Sequence, residues 1–321
     1  MTEIFTGNFT QQEPILDESI AAAVAVMQHG RLHRYNEAAD EVAETALLEQ
    51  EFAAQMGARY CLAVASGGYA LATALRALGV KPGDRVLTNA FTLAPVPGAI
   101  ASVGAVPVFV GVTEGLVIDL DDLAAKADQA DVLMLSHMRG HIVDMDALMD
   151  LAQAHDLKVI EDCAQATGAS WAGRPVGSWG DAGCFSFFPT KNLGAAGDGG
   201  AITCRDADLA QVIRELAVHG MPRRYLHTAL GYNSRLDAIQ ATVLNVKLPH
   251  LPRWVKHRGA IASQYHEHLA ALSGVCLPEA GPEGHSWNQF VLRVPACSAG
   301  VMACGAEASC TPSADSAAFG L

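Results

Sequence analysis

The chain has 321 residues, half of them hydrophobic and 17% charged, so a sizeable buried core is expected and extended disorder is not. A formal net charge of −13, with no basic run, argues against nucleic acid, whose phosphate backbone needs clustered Lys and Arg. The eight cysteines form no C-x-x-C pair; Cys61, Cys163, Cys184 and Cys204 fall in or beside predicted core strands and read as reduced thiols of a cytoplasmic protein.

The opening MTEIFTGNFTQQEP has neither a basic n-region nor an apolar h-region, so no signal peptide is expected. Residues 14–30 start with Pro, Asp and Glu and stop at Gly30, which predicts a helix. Apolar residues at three- and four-residue spacing predict a second helix over about 39–56. A strand over 59–65 then turns through Ser66-Gly67-Gly68 into an amphipathic helix that ends at Gly79. Bare N–H groups and the positive dipole end make such a turn an anion site; a tight βα turn is the plainer reading. It lacks the spacing of a P-loop.

Residues 86–93 predict a strand and loop. From Ala90 to Thr113 no charge occurs, which is long enough to cross a bilayer. Pro95, Pro97 and Pro107, with Gly98, Gly104 and Gly111, divide it into a short helix near 95–103 and a strand over 107–112, so no membrane span is expected. Residues 132–141 predict another strand and loop. His137 and His141 stand four apart there, but the helix and glutamate of H-E-x-x-H are missing, so no metal is assigned. A helix over 144–156 has Asp144 as its N-cap. The alternation from 59 to 162 predicts βα units and a largely parallel sheet.

Residues 157–204 carry the chemistry. The apolar run 157–161 is a buried-strand pattern closed by Asp162, and the strand predicted over 182–188 is stopped by Pro189. Lys191 therefore emerges near the strand ends, where open α/β sheets bind ligands, and a glycine-rich turn follows it. A lysine amine, a carboxylate and phosphate donors such as Ser186 are what pyridoxal phosphate requires. Further on, a capped helix over 206–220, a basic loop with Arg223 and Arg224, and a long helix over 247–272 are predicted. Trp254, Ile261, Tyr265 and Leu269 form a stripe on the long helix that reads as core or interface.

The segments EDCAQATGA, GDAGCFSFFPTKNLGAAGDGGAI and GYNSRLDAIQATVL resemble, in order and spacing, the pyridoxal-phosphate-dependent sugar aminotransferases of the DegT/StrS family, over roughly Ala21–Val294. The resemblance implies an α/β fold of PLP fold-type I: a large domain over 1–246 with a mostly parallel central sheet flanked by helices, and an incomplete small domain over 247–321. It implies that Lys191 carries the cofactor as a Schiff base and acts as general base and acid, with Asp162 facing the pyridine nitrogen. Gln165 would touch the ring or its hydroxyl. Ser186, Gly67 and Gly68 would hold the phosphate, and Asn233 would reach the phosphate of a partner subunit in a homodimer. The implied acceptor is a keto sugar, often nucleotide-linked, and the implied donor is glutamate or glutamine.

Two positions depart from the family pattern: Leu93 and Arg139 stand where aromatics are usual. A related deoxygenating branch has histidine in place of the lysine, which Lys191 argues against. SWNQFVLRV, residues 286–294, predicts the first strand of the small domain. Beyond Val294, Ala, Ser, Gly and Cys dominate and no periodicity persists, so a truncated or frame-shifted, loosely packed tail is expected. That tail also motivates the alternative of a non-catalytic relative.

Overall fold

Short runs that are apolar at both odd and even positions cannot leave either face to water, so they settle as the middle layer of a three-layer α/β/α unit. The computed structural model describes residues 14–35, 41–279 and 284–294. Helices α1 (Asp17–His29) and α2 (Glu44–Gln55) lead into β1 (Tyr60–Val64), α3 (Gly67–Ala77), β2 (Arg85–Asn89), α4 (Pro95–Ser102) and β3 (Val106–Val110). Next come α5 (Leu120–Lys126), β4 (Val132–Ser136), α6 (Met145–Ala154) and β5 (Lys158–Asp162). A small hairpin, β6 (Ser170–Trp171) and β7 (Arg174–Pro175), precedes β8 (Ala182–Ser186) and β9 (Gly200–Cys204). Helices α7 (Ala207–Ala217), α8 (Ala238–Lys247) and α9 (Leu251–Leu269) complete the order.

Seven strands form one sheet in the order β1-β9-β8-β5-β4-β2-β3. The run from β8 to β3 is parallel, and β9 lies antiparallel to both β8 and β1. The two faces separate by alternation. Leu87, Leu133, Val159 and Phe185 pack with Leu48, Phe52, Met145, Leu148 and Leu244 from α2, α6 and α8. Val86, Met134, Ile160 and Cys184 pack with Leu71, Leu75, Ile100 and Ile213 from α3, α4 and α7. Phe52 meets Phe185 and Phe187 edge-on at 4.9 and 5.3 Å, the arrangement that ring quadrupoles favour.

The expected caps form. Asp144 accepts from Ala147 N–H at 3.0 Å, and Asp206 accepts from Leu209 N–H at 2.7 Å. Cys61, Cys163, Cys184 and Cys204 are buried free thiols, as expected. The uncharged stretch divides into α4 and β3. Among the described residues no helix is long and apolar enough to cross a membrane.

One expectation needs correction. The segment SWNQFVLRV forms no strand: Ser286 and Gln289 donate their N–H groups to Gly140 and Arg139 carbonyls, and Trp287 has a left-handed φ of 48°. Only Arg293 makes a β-bridge, with Cys276. The stripe predicted on the long helix divides: Trp254 packs against the core together with Val255, and the later positions face outward, which the interface reading allows. Leu251 and Ala262 are buried, while Ile261 and Tyr265 are 38% and 48% exposed. The 251/255 edge of the helix lies against Gly168, where a Cβ would stand 2.8 Å from Val255 Cγ2. The atypical tail lies outside the described residues.

Candidate active site

Four neighbouring parallel strands each end on a polar residue: Asn89 on β2, Ser136 on β4, Asp162 on β5 and Ser186 on β8. The Asn89 carboxamide continues the ladder, donating to Ser136 O at 2.9 Å and accepting from Ser136 N–H at 3.0 Å. Ser136 and Asp162 are partners in register, and Ser136 Oγ donates to Asp162 Oδ2 at 2.8 Å. Ala164 N–H donates to the other carboxylate oxygen at 3.1 Å. Burial raises the pKa of Asp162 above the ordinary carboxylate value. The Ala164 amide, the Ser136 hydroxyl and the charges of His137 and Lys191 oppose that rise.

Lys191 lies in the turn that Pro189 starts after β8, with its N–H donated to Phe188 O at 2.9 Å. Burial lowers the pKa of its amine, and the charge of Asp162 acts in the opposite direction. A lysine poised toward its neutral form beside a carboxylate can serve as nucleophile and proton carrier.

The β1–α3 turn, where an anion site is expected, packs against Ser186 at the end of β8. Ser66 caps α3 by accepting from Tyr69 N–H at 3.3 Å, so the first amides of the helix point outward at its positive end. Gly67 lies against Ser186: a Cβ on the glycine would stand 2.8 Å from Ser186 Cβ. A Cβ on Gly68 would meet nothing closer than Ser66 Oγ at 3.8 Å. Gly200, opening β9, passes so close under Ser66 that a Cβ there would stand 2.6 Å from the Ser66 carbonyl carbon. The lysine, the buried acid and the glycine cradle beside a serine hydroxyl fit pyridoxal phosphate.

The remaining predicted residues lie further out. Gln165 is buried, its Oε1 accepting from Arg139 N–H at 2.6 Å. Asn233 is exposed, and its Oδ1 accepts from Arg235 Nη2 at 3.0 Å. Its loop is bound to this same chain's site, since Ala65 N–H donates to Ser234 O at 2.8 Å. Leu93 is 43% exposed at the rim. Arg139 is buried with φ 63°; its guanidinium lies 5.4 Å from the Phe91 ring centroid and donates to Gly115 O at 2.8 Å.

His137 is engaged elsewhere. Its Nε2 is 3.2 Å from Oε2 of Glu161, a fully buried carboxylate that also accepts from the Gly177, Trp179 and Gly180 amides at 2.8, 2.8 and 2.9 Å. Burial pushes the Glu161 pKa up, but the His137 hydrogen bond and charge and the Gly180 and Gly177 amides outweigh it, and the net shift is downward. Cys163 brings a third ligand atom within 4.8 Å of both His137 and Glu161, but burial raises its thiol pKa well above the ordinary value.

Sequence reasoning missed Ser136 and Asn89, which hold Asp162, and Asn192 and Ser286, which lie behind Lys191. The first pair carried a usable signal, a polar residue closing each of several apolar runs. The second pair carried none, because their partners are backbone carbonyls distant in sequence.

Residues 15–308 match the DegT/DnrJ/EryC1/StrS aminotransferase family. Over 255 residues the chain is 45% identical to UDP-N-acetyl-3-dehydro-alpha-D-glucosamine 3-aminotransferase of Acidithiobacillus ferrooxidans, covering 78% of this chain and 68% of that one. Over 249 residues it is 41% identical to dTDP-3-amino-3,4,6-trideoxy-alpha-D-glucose transaminase of Streptomyces venezuelae, covering 76% and 65%. The crystal structure of DesV from S. venezuelae superimposes with a TM-score of 0.81 at 37% identity, covering 89% of this chain and 78% of DesV. With a lysine, a buried acid and a glycine turn beside a serine on the carboxyl rim of a fold-type I sheet, the chain belongs to the DegT/DnrJ/EryC1/StrS aminotransferase family and is a pyridoxal-phosphate-dependent transaminase.

Proposed function

We propose that this enzyme moves an amino group from glutamate or glutamine to a nucleotide-linked keto sugar, in amino-sugar, polysaccharide or secondary-metabolite biosynthesis, as a cytoplasmic homodimer. The observation that carries the reading is Lys191, its amine biased toward the neutral form by burial, next to the buried carboxylate of Asp162 on the same rim as the Gly67–Ser186 cradle. Two relatives named for 3-amino sugars attached to UDP or dTDP support the acceptor class.

Lys191 would bind the cofactor covalently, take the α-proton from the donor as general base, and return a proton to the acceptor carbon as general acid. Asp162 would pair with the protonated ring nitrogen, and Gln165 would bound the ring. Ser186 and the Gly67 and Gly68 amides would hold the phosphate, joined by Asn233 from the partner subunit. Bound pyridoxal phosphate supplies the electron sink that stabilises the deprotonated donor. The proposed domain division leaves residues 1–246 as the cofactor-binding unit and assigns 247–321 to a second, smaller unit.

The test is borohydride reduction of the loaded protein followed by peptide mapping, together with turnover of UDP- and dTDP-linked 3-keto sugars with glutamate. Label on Lys191 and amino-sugar product are expected. Label on Lys158 or Lys247 overturns the lysine assignment. A correctly labelled protein that aminates none of these sugars favours a non-catalytic relative.

A further inference from the structure

Lys191 stands on the loop after β8 and Asp162 closes β5, and the loops that follow these two strands each close mainly on themselves. On the lysine loop, Ala195 N–H returns to Phe187 O at 2.7 Å; on the acid loop, Ala166 N–H returns to Cys163 O at 2.9 Å. Among the described residues one side chain hydrogen-bonds from the lysine loop to the acid loop. Asn192, next to Lys191 and 6% exposed, donates through Nδ2 to Thr167 O at 3.2 Å and to Ser286 O at 3.3 Å. Both neighbours are carbonyls, so only the amide nitrogen can pair with them.

Ser286, 0% exposed, extends the tie to a third loop. Its N–H donates to Gly140 O at 3.0 Å and its Oγ donates to Gln165 O at 3.3 Å. Gly140, at φ 81°, makes this possible, because a Cβ there would stand 2.3 Å from Ser286 Oγ. The loops after β4, β5 and β8 therefore converge on Asn192 and Ser286.

We propose that Asn192 is a positioning residue for the transamination reaction: its carboxamide fixes the Lys191 loop against the Asp162 loop and the 284–294 segment, and so sets where the lysine amine stands relative to the acid. The proposal rests on Lys191 being the cofactor-bearing residue. Reacting groups tolerate little displacement, about a hundredfold in rate for roughly 1 Å. A residue that holds the amine in place should therefore act on kcat more than on KM.

The experiment compares wild type, Asn192→Ala and Asn192→Ser. In cofactor-free protein, Asn192→Ala should speed amide exchange in both 188–195 and 164–169, two segments that share this one side-chain link. In loaded protein it should move the pH midpoint of the visible absorbance band by about half a unit or more. It should also lower kcat roughly ten- to a hundredfold, with KM for donor and acceptor held within about threefold. Asn192→Ser keeps one donor in a smaller side chain and should fall between the other two on every measure. If the absorbance midpoint and kcat of both variants match wild type, Asn192 does not position the lysine, whatever the exchange data show. Borohydride label on a lysine other than Lys191 in wild type overturns the proposed function and this role with it. Label on Lys191 with unchanged variants overturns the positioning role alone.

Discussion

Gly67 and Ser186 face each other so closely that a Cβ on the glycine would stand 2.8 Å from the serine's own Cβ. The contact brings the positive end of α3 against the last residue of β8, two elements far apart in the chain. Gly67→Ala must push them apart, at a cost of about 1–3 kcal/mol typical of overpacking. Thermal melts with and without pyridoxal phosphate should show a lower midpoint and a smaller gain on adding cofactor. An unchanged gain would place the phosphate elsewhere.

Asp162→Asn separates stability from catalysis. Burial already works against the charged form of Asp162, so a neutral amide of the same shape should leave stability unchanged or raised. Turnover should fall on the order of a hundredfold or more, because the amide cannot balance a positive ring nitrogen. Urea unfolding and steady-state rates measure the two effects. A variant with near-normal turnover would reduce the acid to a structural part.

Acid should destabilise the fold before carboxylates titrate. His141 and His285 stack at 4.7 Å, and burial, with nearby cationic side chains, lowers their pKa values to about 3 and about 4. Between those values and about 6.5, the unfolded chain holds the protons that the folded chain refuses, so stability falls as pH falls. Each ring then costs on the order of 1.4 kcal/mol per pH unit in that window. Glu161, with its pKa depressed, adds a further loss once pH drops below the ordinary glutamate value of about 4.3. Asp162, shifted upward, works in the opposite sense. Urea midpoints at pH 7, 6, 5 and 4 should decline steadily, and His141→Phe should flatten the decline between 6.5 and 5. A profile flat to pH 4.5 would contradict the assignment.

The proposed shared site predicts complementation. Lys191→Ala and Asn233→Ala chains, each inactive alone, should regain activity on mixing, because one of the two sites in a mixed dimer would be intact. Mixtures that never exceed their parents would confine the site to one chain.

The strands and their order of chemistry were legible because a buried parallel strand is mostly apolar and a polar residue closes it, even where β5 carries the buried Glu161 one position earlier. Asp162 and Ser186 announce themselves this way. The 286–294 segment was misread because Phe290-Val291-Leu292 has strand composition, whereas the Gly140 and Arg139 carbonyls capture its backbone donors. Which edge of α9 is covered was illegible for a similar reason: Gly168, against which Leu251 and Val255 lie, is distant in sequence. Asn192 carries no sequence signal, because its partners are the carbonyls of Thr167 and Ser286, distant in the chain.

The sheet's first strand waits for its last. Tyr60 of β1 pairs with Cys204 of β9, and β9 alone separates β1 from β8. While the chain is being synthesised, β2, β4 and β5 can join as they emerge from the ribosome. Meanwhile β1 keeps an unpaired, apolar edge until residues 200–204 have been made, a long-range closure that slows folding and exposes a surface chaperones recognise. The Gly67–Ser186 contact belongs to the same packing, since Gly200 passes close against Ser66, the residue before Gly67. Cofactor capture would therefore report that the last strand has seated, and starving cells of vitamin B6 should leave newly made chains open to proteolysis at the β1 edge.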